Sequence, residues 1–263
     1  MYSWTMFGPF AGAPRRQEPQ VPRDATPAVP LKETCRVAAG CEISLWEYHA
    51  RRLRAGGCGD DAIRAAETAI SGALAAYDGP MTSRVRLTLV VGTDGLPDVA
   101  IERRLSSLDV IDGVRAVPVI VDEEPQLPVG AAKPADRSFW DAAHREARAA
   151  GGEQAIIARP GGYIIDGSTA SVFCRLGTVL ATPPSPSAIA GVARRWILDN
   201  CSSVGYSALA APISLDDLDI ADEVFFANAF GGIREMQGRG GEACIALSEA
   251  MRDVWERKPH VRV

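Results

Sequence analysis

The fold is decided by residues 154 to 182, which read Q-A-I-I-A-R-P-G-G-Y-I-I-D-G-S-T-A-S-V-F-C-R-L-G-T-V-L-A-T. Apolar residues form four short runs in this stretch, and glycine, proline or small polar residues separate them. This is the pattern of short strands joined by tight turns. The predicted strands are Gln154–Ala158, Tyr163–Asp166, Ser171–Cys174 and Val179–Thr182.

Helices and further strands are predicted on both sides of this run. A capping box formed by Ser44 and Glu47 is expected to start the first helix, and Gly56-Gly57 to end it. Further helices are predicted from Asp60 or Asp61 to Gly79, Asp136 to about Ala150, Ile189 to about Asn200 and Leu247 to Arg257, and further strands at Thr34–Val37, Arg84–Val91, Val114–Val121 and Glu223–Ala227. Because no βαβ rhythm repeats, the pattern favours two α+β domains over a doubly wound sheet.

Proline content and a break in the pattern predict the domain limits. Residues 1 to 30 form a proline-rich arm, with six prolines between residues 8 and 30. A small α+β domain is predicted over residues 31 to 108, and a larger domain over residues 112 to 263. The boundary is placed at residues 104 to 112.

Composition excludes several classes of protein. The chain has 263 residues, is 47% hydrophobic and has a formal net charge of −5. These values predict a soluble globular protein and argue against a nucleic-acid partner, which would require a clustered basic surface. The sequence has no apolar run of membrane-spanning length and no clear signal peptide. We therefore expect a cytoplasmic protein that binds neither nucleic acid nor membranes.

Few residues are available for the commonest kinds of catalysis. The sequence contains no P-loop, no dinucleotide-binding glycine motif, no H-E-x-x-H and no G-x-S-x-G. Its six cysteines are scattered, which predicts reduced thiols and no metal site. The three histidines offer little for a triad. Only three lysines are present, at positions 32, 133 and 258, so lysine chemistry has very few candidates.

Seven short segments occur in an order that is characteristic of one family. They are E-T-x-R at Glu33–Arg36, H-x-x-R-L at His49–Leu53, K-x-x-D-R at Lys133–Arg137, D-G-S-T-x-S-V-F at Asp166–Phe173, T-P-P at Thr182–Pro184, G-V-x-R at Gly191–Arg194 and E-V-F-F-x-N-A at Glu223–Ala229. Together they resemble the class IV aminotransferases, pyridoxal phosphate enzymes of fold type IV that include aminodeoxychorismate lyase. The resemblance covers residues 31 to about 236. It implies a two-domain fold, an active site between the domains, and a homodimer.

The resemblance implies a role for each of the residues that would hold pyridoxal 5'-phosphate. This cofactor needs an amine for its Schiff base, a carboxylate at its ring nitrogen and a cradle for its phosphate. By resemblance, Lys133 is the Schiff-base lysine and catalytic residue, Asp166 faces the ring nitrogen, and Arg52 binds the phosphate. A solvated surface lysine, a turn aspartate and a solvated helix arginine are the alternatives for these three residues.

Backbone groups at a helix start complete the implied cofactor site. Gly191, Val192 and Ala193 would direct free N–H groups at the phosphate. Asn228 lies where relatives supply a further phosphate or substrate contact, and the alternative is a turn residue. His49 is interpreted as a helix packing residue.

The sequence departs from the family pattern at several places. Asp166 stands where the family generally has glutamate, and Ala193 where many relatives have threonine. The glycine-rich segment before E-T-x-R is replaced by residues 25 to 31, A-T-P-A-V-P-L, and V-V-G-T at Val90–Thr93 lacks the arginine of several relatives. The residues that would bind a substrate carboxylate are therefore not visible in the sequence.

Three functions remain open from the sequence. The first is transfer of an amino group between an amino acid or amine and a keto acid through Lys133. The second is a lyase that releases pyruvate and leaves an aromatic amine. The third is a cofactor-free relative with a binding or assembly role.

Overall fold

The computed structural model describes residues 21 to 38, 42 to 80, 85 to 103 and 113 to 256, and within these ranges helices and strands alternate irregularly. The helices are α1 Trp46–Ala55, α2 Asp60–Ala76, α3 Ser138–Ala149, α4 Val192–Asn200, α5 Leu215–Ile220 and α6 Glu242–Glu256. The strands are β1 Leu31–Val37, β2 Val85–Val91, β3 Pro97–Arg103, β4 Ala116–Ile120, β5 Gln154–Ala158, β6 Ile164–Gly167, β7 Ser171–Leu176, β8 Val179–Thr182, β9 Ser207–Ala210, β10 Glu223–Asn228 and β11 Gly232–Glu235.

The first part of the chain is a small antiparallel sheet covered by two helices. Strands β1, β2 and β3 pair in that order. Alternate residues of β1 and β2 are buried in a core with α1 and α2, as a half-covered sheet requires. The opposite face carries polar side chains, and it forms one wall of the site described below.

The start of α1 differs from the sequence prediction. The predicted capping box is wrong, because Leu45 occupies the position before the helix with a φ of 61° and no side-chain cap is formed. The N–H of Ser44 instead donates to the carbonyl of Arg36 at 3.0 Å, which ties the residue to β1. The hydroxyl of Ser44 is buried without a hydrogen-bond partner in the described part of the chain.

The second part contains the two other sheets. Strands β4, β5 and β6 form one, with β4 and β5 parallel. The larger sheet has the order β11-β10-β7-β8-β9, in which β8 and β9 are parallel. The strands predicted from residues 154 to 182 are all present, with ends that shift by at most two residues.

Helix α6 starts five residues earlier than the predicted Leu247. The buried carboxylate of Glu223 accepts hydrogen bonds from the N–H groups of Ala243 and Cys244, at 3.1 and 2.9 Å. A carboxylate at this position satisfies free N–H groups and complements the helix dipole. Because Glu223 is distant in sequence, local capping rules could not identify this helix start.

The predicted domain limits are only partly within the described residues. Residues 1 to 20, most of the predicted arm, and the whole predicted boundary at residues 104 to 112 lie outside them. Residues 22 to 25 contact the turn between α1 and α2, where Gly59 N donates to the carbonyl of Ala25 at 2.8 Å. The division into two domains stays a prediction.

None of the helices in the described ranges combines the length and apolar character needed to cross a membrane.

Candidate active site

A cavity of about 370 Å³ lies between the polar face of the β1–β3 sheet and the second part of the chain. All seven residues assigned to the site from the sequence line this cavity, which are Lys133, Arg52, Asp166, Gly191, Val192, Ala193 and Asn228. They come from five separate segments of the chain. The fold therefore brings together residues that only the order of motifs connected.

Lys133 lies in the segment that leads into α3 and is held against β1. Its carbonyl accepts a hydrogen bond from the N–H of Lys32 at 2.9 Å. Its amine Nζ donates to the hydroxyl of Thr34 at 2.9 Å. Burial of the amine, followed by the positive charges of Arg137 and Arg52, lowers the pKa of Lys133 from 10.5 to about 7. A large fraction of this amine is therefore neutral, and so nucleophilic, near neutral pH.

Arg52 is fixed by the buried carboxylate of Glu33, for which the sequence predicted no role. Its Nε donates to Glu33 Oε1 at 2.9 Å, and its Nη2 donates to Glu33 Oε2. A third nitrogen, Nη1, donates to the carbonyl of Ala190 at 3.3 Å, just before α4. The remaining N–H groups of the guanidinium are left for a ligand in the cavity. The solvated-helix alternative for Arg52 is wrong, since the residue is 8% exposed.

His49 completes this buried cluster. Its Nδ1 donates to Glu33 Oε2, which fixes the proton on that ring nitrogen because a carboxylate only accepts. Burial alone would raise the pKa of Glu33, but the charges of Arg52 and His49 and the hydrogen bonds from both side chains together outweigh burial and lower it to about 2. The prediction that His49 is a packing residue is therefore incomplete, since His49 also helps to hold the carboxylate that positions Arg52.

The start of α4 forms a cradle beside Arg52. The helix begins at Val192, so the N–H groups of its first turn have no acceptor within the helix and carry its positive dipole end. Gly191 precedes it, and a Cβ there would lie 2.6 Å from the hydroxyl of Ser171. Any larger residue would therefore crowd the cradle. Backbone N–H groups, a glycine and an adjacent arginine are a common arrangement for binding a phosphate.

Asp166 lies in the wall of the cavity at the end of β6 and is 4% exposed. Its Oδ1 accepts from the N–H of Gly167 at 2.9 Å, and its Oδ2 accepts from the N–H of Ile189 at 3.1 Å. Burial raises the pKa of Asp166 to about 6, against the lowering effect of these two bonds. The aspartate side chain, shorter than the glutamate of relatives, is thus held by nearby backbone N–H groups. Its raised pKa favours a hydrogen bond in which it shares a proton with a ligand nitrogen.

Asn228 lines the cavity, but its side chain organises its own loop. Its Oδ1 accepts from the N–H groups of Phe230 and Gly231 at 3.1 and 2.5 Å. Its Nδ2 donates to the carbonyl of Thr169 at 3.4 Å. The structure therefore shows the turn role for Asn228.

Several residues of the site were not identified from the sequence. Arg137 lines the cavity, donates to the carbonyl of Ser168 at 2.7 Å and stacks over Trp140 at 4.7 Å. Lys32, Thr34, Arg86 and Thr88 project from β1 and β2 into the same cavity. Glu33 is a signal in the sequence from which the buried cluster could have been predicted. It is a charged residue on the otherwise apolar face of β1, and such a residue requires a buried partner.

Comparisons with known proteins identify a family for this combination of fold and site. The family model described as amino-transferase class IV matches residues 31 to 237. A branched-chain-amino-acid aminotransferase of Pseudomonas aeruginosa is 32% identical over 98 residues, which are 36% of this chain and 32% of that protein. A second relative, from Methanocaldococcus jannaschii, is 29% identical over 157 residues, 54% of each chain. The matches thus span about a third and about half of the lengths of these curated relatives.

The fold is that of solved fold IV transaminases. The structure of such an enzyme from Curtobacterium pusillum has a TM-score of 0.67 at 19% identity and covers 91% of both chains. This likeness confirms the predicted α+β, fold type IV architecture. The family match over most of the chain confirms the resemblance read from the seven segments. The chain belongs to the class IV aminotransferases.

Proposed function

We propose that this enzyme binds pyridoxal 5'-phosphate through Lys133 and transfers an amino group between an amino acid or amine and a keto acid. The observation that carries the proposal is the meeting of three groups in one cavity. They are an amine with a pKa of about 7, a cradle formed by Arg52 and the start of α4, and the buried carboxylate of Asp166. The class IV family is dependent on this cofactor.

The residues present fit the cofactor. The space that a Cβ on Gly191 would fill, beside the hydroxyl of Ser171, leaves room for phosphate oxygens against the N–H groups of α4. Arg52 supplies a fixed positive charge there, and Glu33 prevents its rotation. The absence of a threonine at position 193 removes no backbone donor. The cradle therefore depends on main-chain groups and on Arg52.

The bound cofactor would supply an aldehyde for an amino group and a ring that takes up the electrons released at the substrate α-carbon. Asp166 would hold a proton at the ring nitrogen of the bound cofactor, for which its raised pKa is suited. Lys133 would hold the cofactor through its amine and would take and return the proton of the substrate α-carbon. The hydroxyl of Thr34 orients its amine, and the low pKa of that amine leaves it able to accept a proton at neutral pH.

The experiment is a half-reaction screen of amino donors. Purified protein is loaded with the cofactor, and its visible absorbance is followed as each candidate donor is added. We expect loss of the cofactor's absorbance with at least one donor, and its return when a keto acid is then supplied. The Lys133→Ala variant should do neither, whereas Arg64→Met, which changes an exposed residue of α2 away from the cavity, is a control that should do both.

Two outcomes would contradict the proposal. Release of pyruvate from an amino substrate without any keto-acid acceptor would favour the lyase function. Failure of the purified protein to bind the cofactor at all would favour the cofactor-free function.

A further inference from the structure

The polar face of the β1–β3 sheet forms the wall of the cavity opposite the cofactor cradle. Residues directly paired across strands share one face of a sheet. Thr34 pairs with Thr88, and Lys32 and Arg86 lie two residues from them on β1 and β2. All four line the cavity. One wall of the site therefore consists of two hydroxyls and two cations, a composition suited to an anion.

The two cations differ in their partners. Arg86 is compensated, since its Nε donates to Glu102 Oε1 at 2.7 Å across the β2–β3 pair. Among the described residues, Lys32 forms neither an ion pair nor a side-chain hydrogen bond. The carboxylates of Asp141 and Asp166 also line the cavity, but neither pairs with this ammonium group, which is therefore available to an anionic group of a ligand.

The hydroxyl of Thr34 adds a second group for the same ligand. It accepts the hydrogen bond from Lys133, so its own proton remains available to donate. Thr34 and Lys32 are two residues apart on one strand and project on the same side. The ammonium and the hydroxyl therefore lie on the same wall of the cavity, and the hydroxyl is in contact with the amine of Lys133.

We propose that Lys32, assisted by the Thr34 hydroxyl, binds a carboxylate of the substrate and so selects amino acids and keto acids over neutral amines. The inference rests on the proposed function and deepens it, since that function leaves amino acids and amines open as donors. Arg52 is engaged by Glu33 and the cradle, and Arg86 by Glu102. Lys32 is thus the cation of this wall whose charge the protein leaves uncompensated.

Binding of a small carboxylate tests the inference directly. Propionate and its neutral analogue propionamide are titrated by calorimetry into the cofactor-loaded protein. We expect propionate to bind and propionamide to bind at least about tenfold more weakly. Lys32→Met should weaken propionate binding by about tenfold without affecting propionamide, and Lys32→Arg should restore most of the loss because it keeps the positive charge.

An exposed cation provides the matched control. Arg64→Met removes a positive charge from the outer surface of α2, where Arg64 pairs with Asp61, and should leave propionate binding unchanged. Equal affinities of the wild type for propionate and propionamide, or an unchanged propionate affinity in Lys32→Met, would overturn the inference.

The proposed function is tested separately in the same samples. Cofactor content is measured after release in alkali, and calorimetry reports propionate binding whether or not the cofactor is present. Absence of cofactor from the wild type contradicts the proposed function. Equal cofactor content in the wild type and Lys32→Met, with equal propionate affinity, contradicts the role of Lys32 alone.

Discussion

Replacement of Arg137 by methionine should raise the pKa of Lys133 and slow its reactions at neutral pH. After burial, the charge of Arg137 is the strongest influence that lowers this pKa. Its guanidinium is held in place by the carbonyl of Ser168 at 2.7 Å and by the ring of Trp140. Methionine keeps most of the side-chain volume and removes the charge, so the ammonium form of Lys133 becomes easier to maintain.

The size of the effect follows from the two pKa values. A pKa of about 7 instead of 10.5 leaves roughly half of the Lys133 amine neutral at pH 7, against about one molecule in 3,000 for an ordinary lysine. The site thus enriches the reactive form by about 1,500-fold. If the pKa of Lys133 rises by one unit in the variant, the neutral fraction of its amine at pH 7 falls from about a half to about a tenth. This is about a fivefold loss of reactivity.

Trace labelling with acetic anhydride measures this directly in protein freed of cofactor. The acetylation rate of Lys133, read by peptide mass spectrometry between pH 6 and 10, should show an apparent pKa near 7 in the wild type and a higher one in Arg137→Met. Arg145→Met, at an exposed position of α3, the helix that follows Arg137, is the control and should leave the curve unchanged. A wild-type pKa near 10.5, or no rise in Arg137→Met, would refute the reasoning.

Three further predictions concern the groups around the cofactor. Gly191→Ala should weaken cofactor binding by about tenfold or more in equilibrium dialysis, because the added Cβ lies 2.6 Å from the Ser171 hydroxyl; undiminished affinity would show that the cradle lies elsewhere. Glu33→Gln should lower both cofactor affinity and stability, because Arg52 loses its buried counter-charge. The pKa of Glu33 is about 2 in the folded state against 4.5 in the unfolded state, so its ionised carboxylate adds about 3 kcal/mol to the free energy of unfolding. This contribution is present above pH 4.5 and is lost as the pH falls towards 2. The free energy of unfolding of Glu33→Gln, measured in urea, should therefore depend less on pH in this window than that of the wild type, and an identical dependence would contradict the assignment. Asp166→Asn should retain the cofactor but reduce turnover by a hundredfold or more, about 3 kcal/mol in the barrier, and unchanged turnover would mean that another group protonates the ring nitrogen.

A matched glycine variant separates the cradle effect from helix propensity. Gly72 lies within α2, and an added Cβ there meets no atom within 4 Å. Gly72→Ala should therefore leave cofactor affinity unchanged and stabilise the protein by up to about 1 kcal/mol in urea unfolding.

The sequence was informative where structure depends on local pattern. Strand β8 was predicted with its observed ends at Val179–Thr182, because a turn at Gly177 precedes it and prolines follow it. Local rules failed at Ser44, whose N–H pairs with β1, and at the start of α6, which the distant carboxylate of Glu223 caps. In both cases a partner outside the helix replaced the local one, since Ser44 bonds to β1 and the start of α6 bonds to β10.

In the candidate site, too, some residues could be predicted from short motifs and others could not. Motif order singled out Lys133, Arg52 and Asp166, which the structure places in one cavity, and their roles toward the cofactor stay predictions. The roles of Glu33 and Lys32 depend on how β1 packs, with one face against α1 and the other towards the cavity, and this arrangement is not visible in a short segment. The homodimer, the cytoplasmic location and the limits of the domains stay predictions.

The central claim is that Lys133 forms the covalent link with the cofactor. The most direct measurement is reduction of the cofactor-loaded protein with borohydride, followed by protease digestion and mass spectrometry of the labelled peptide. We expect a single pyridoxyl label, on Lys133. A label on Lys32 or Lys258, or no label on any lysine, would contradict the account.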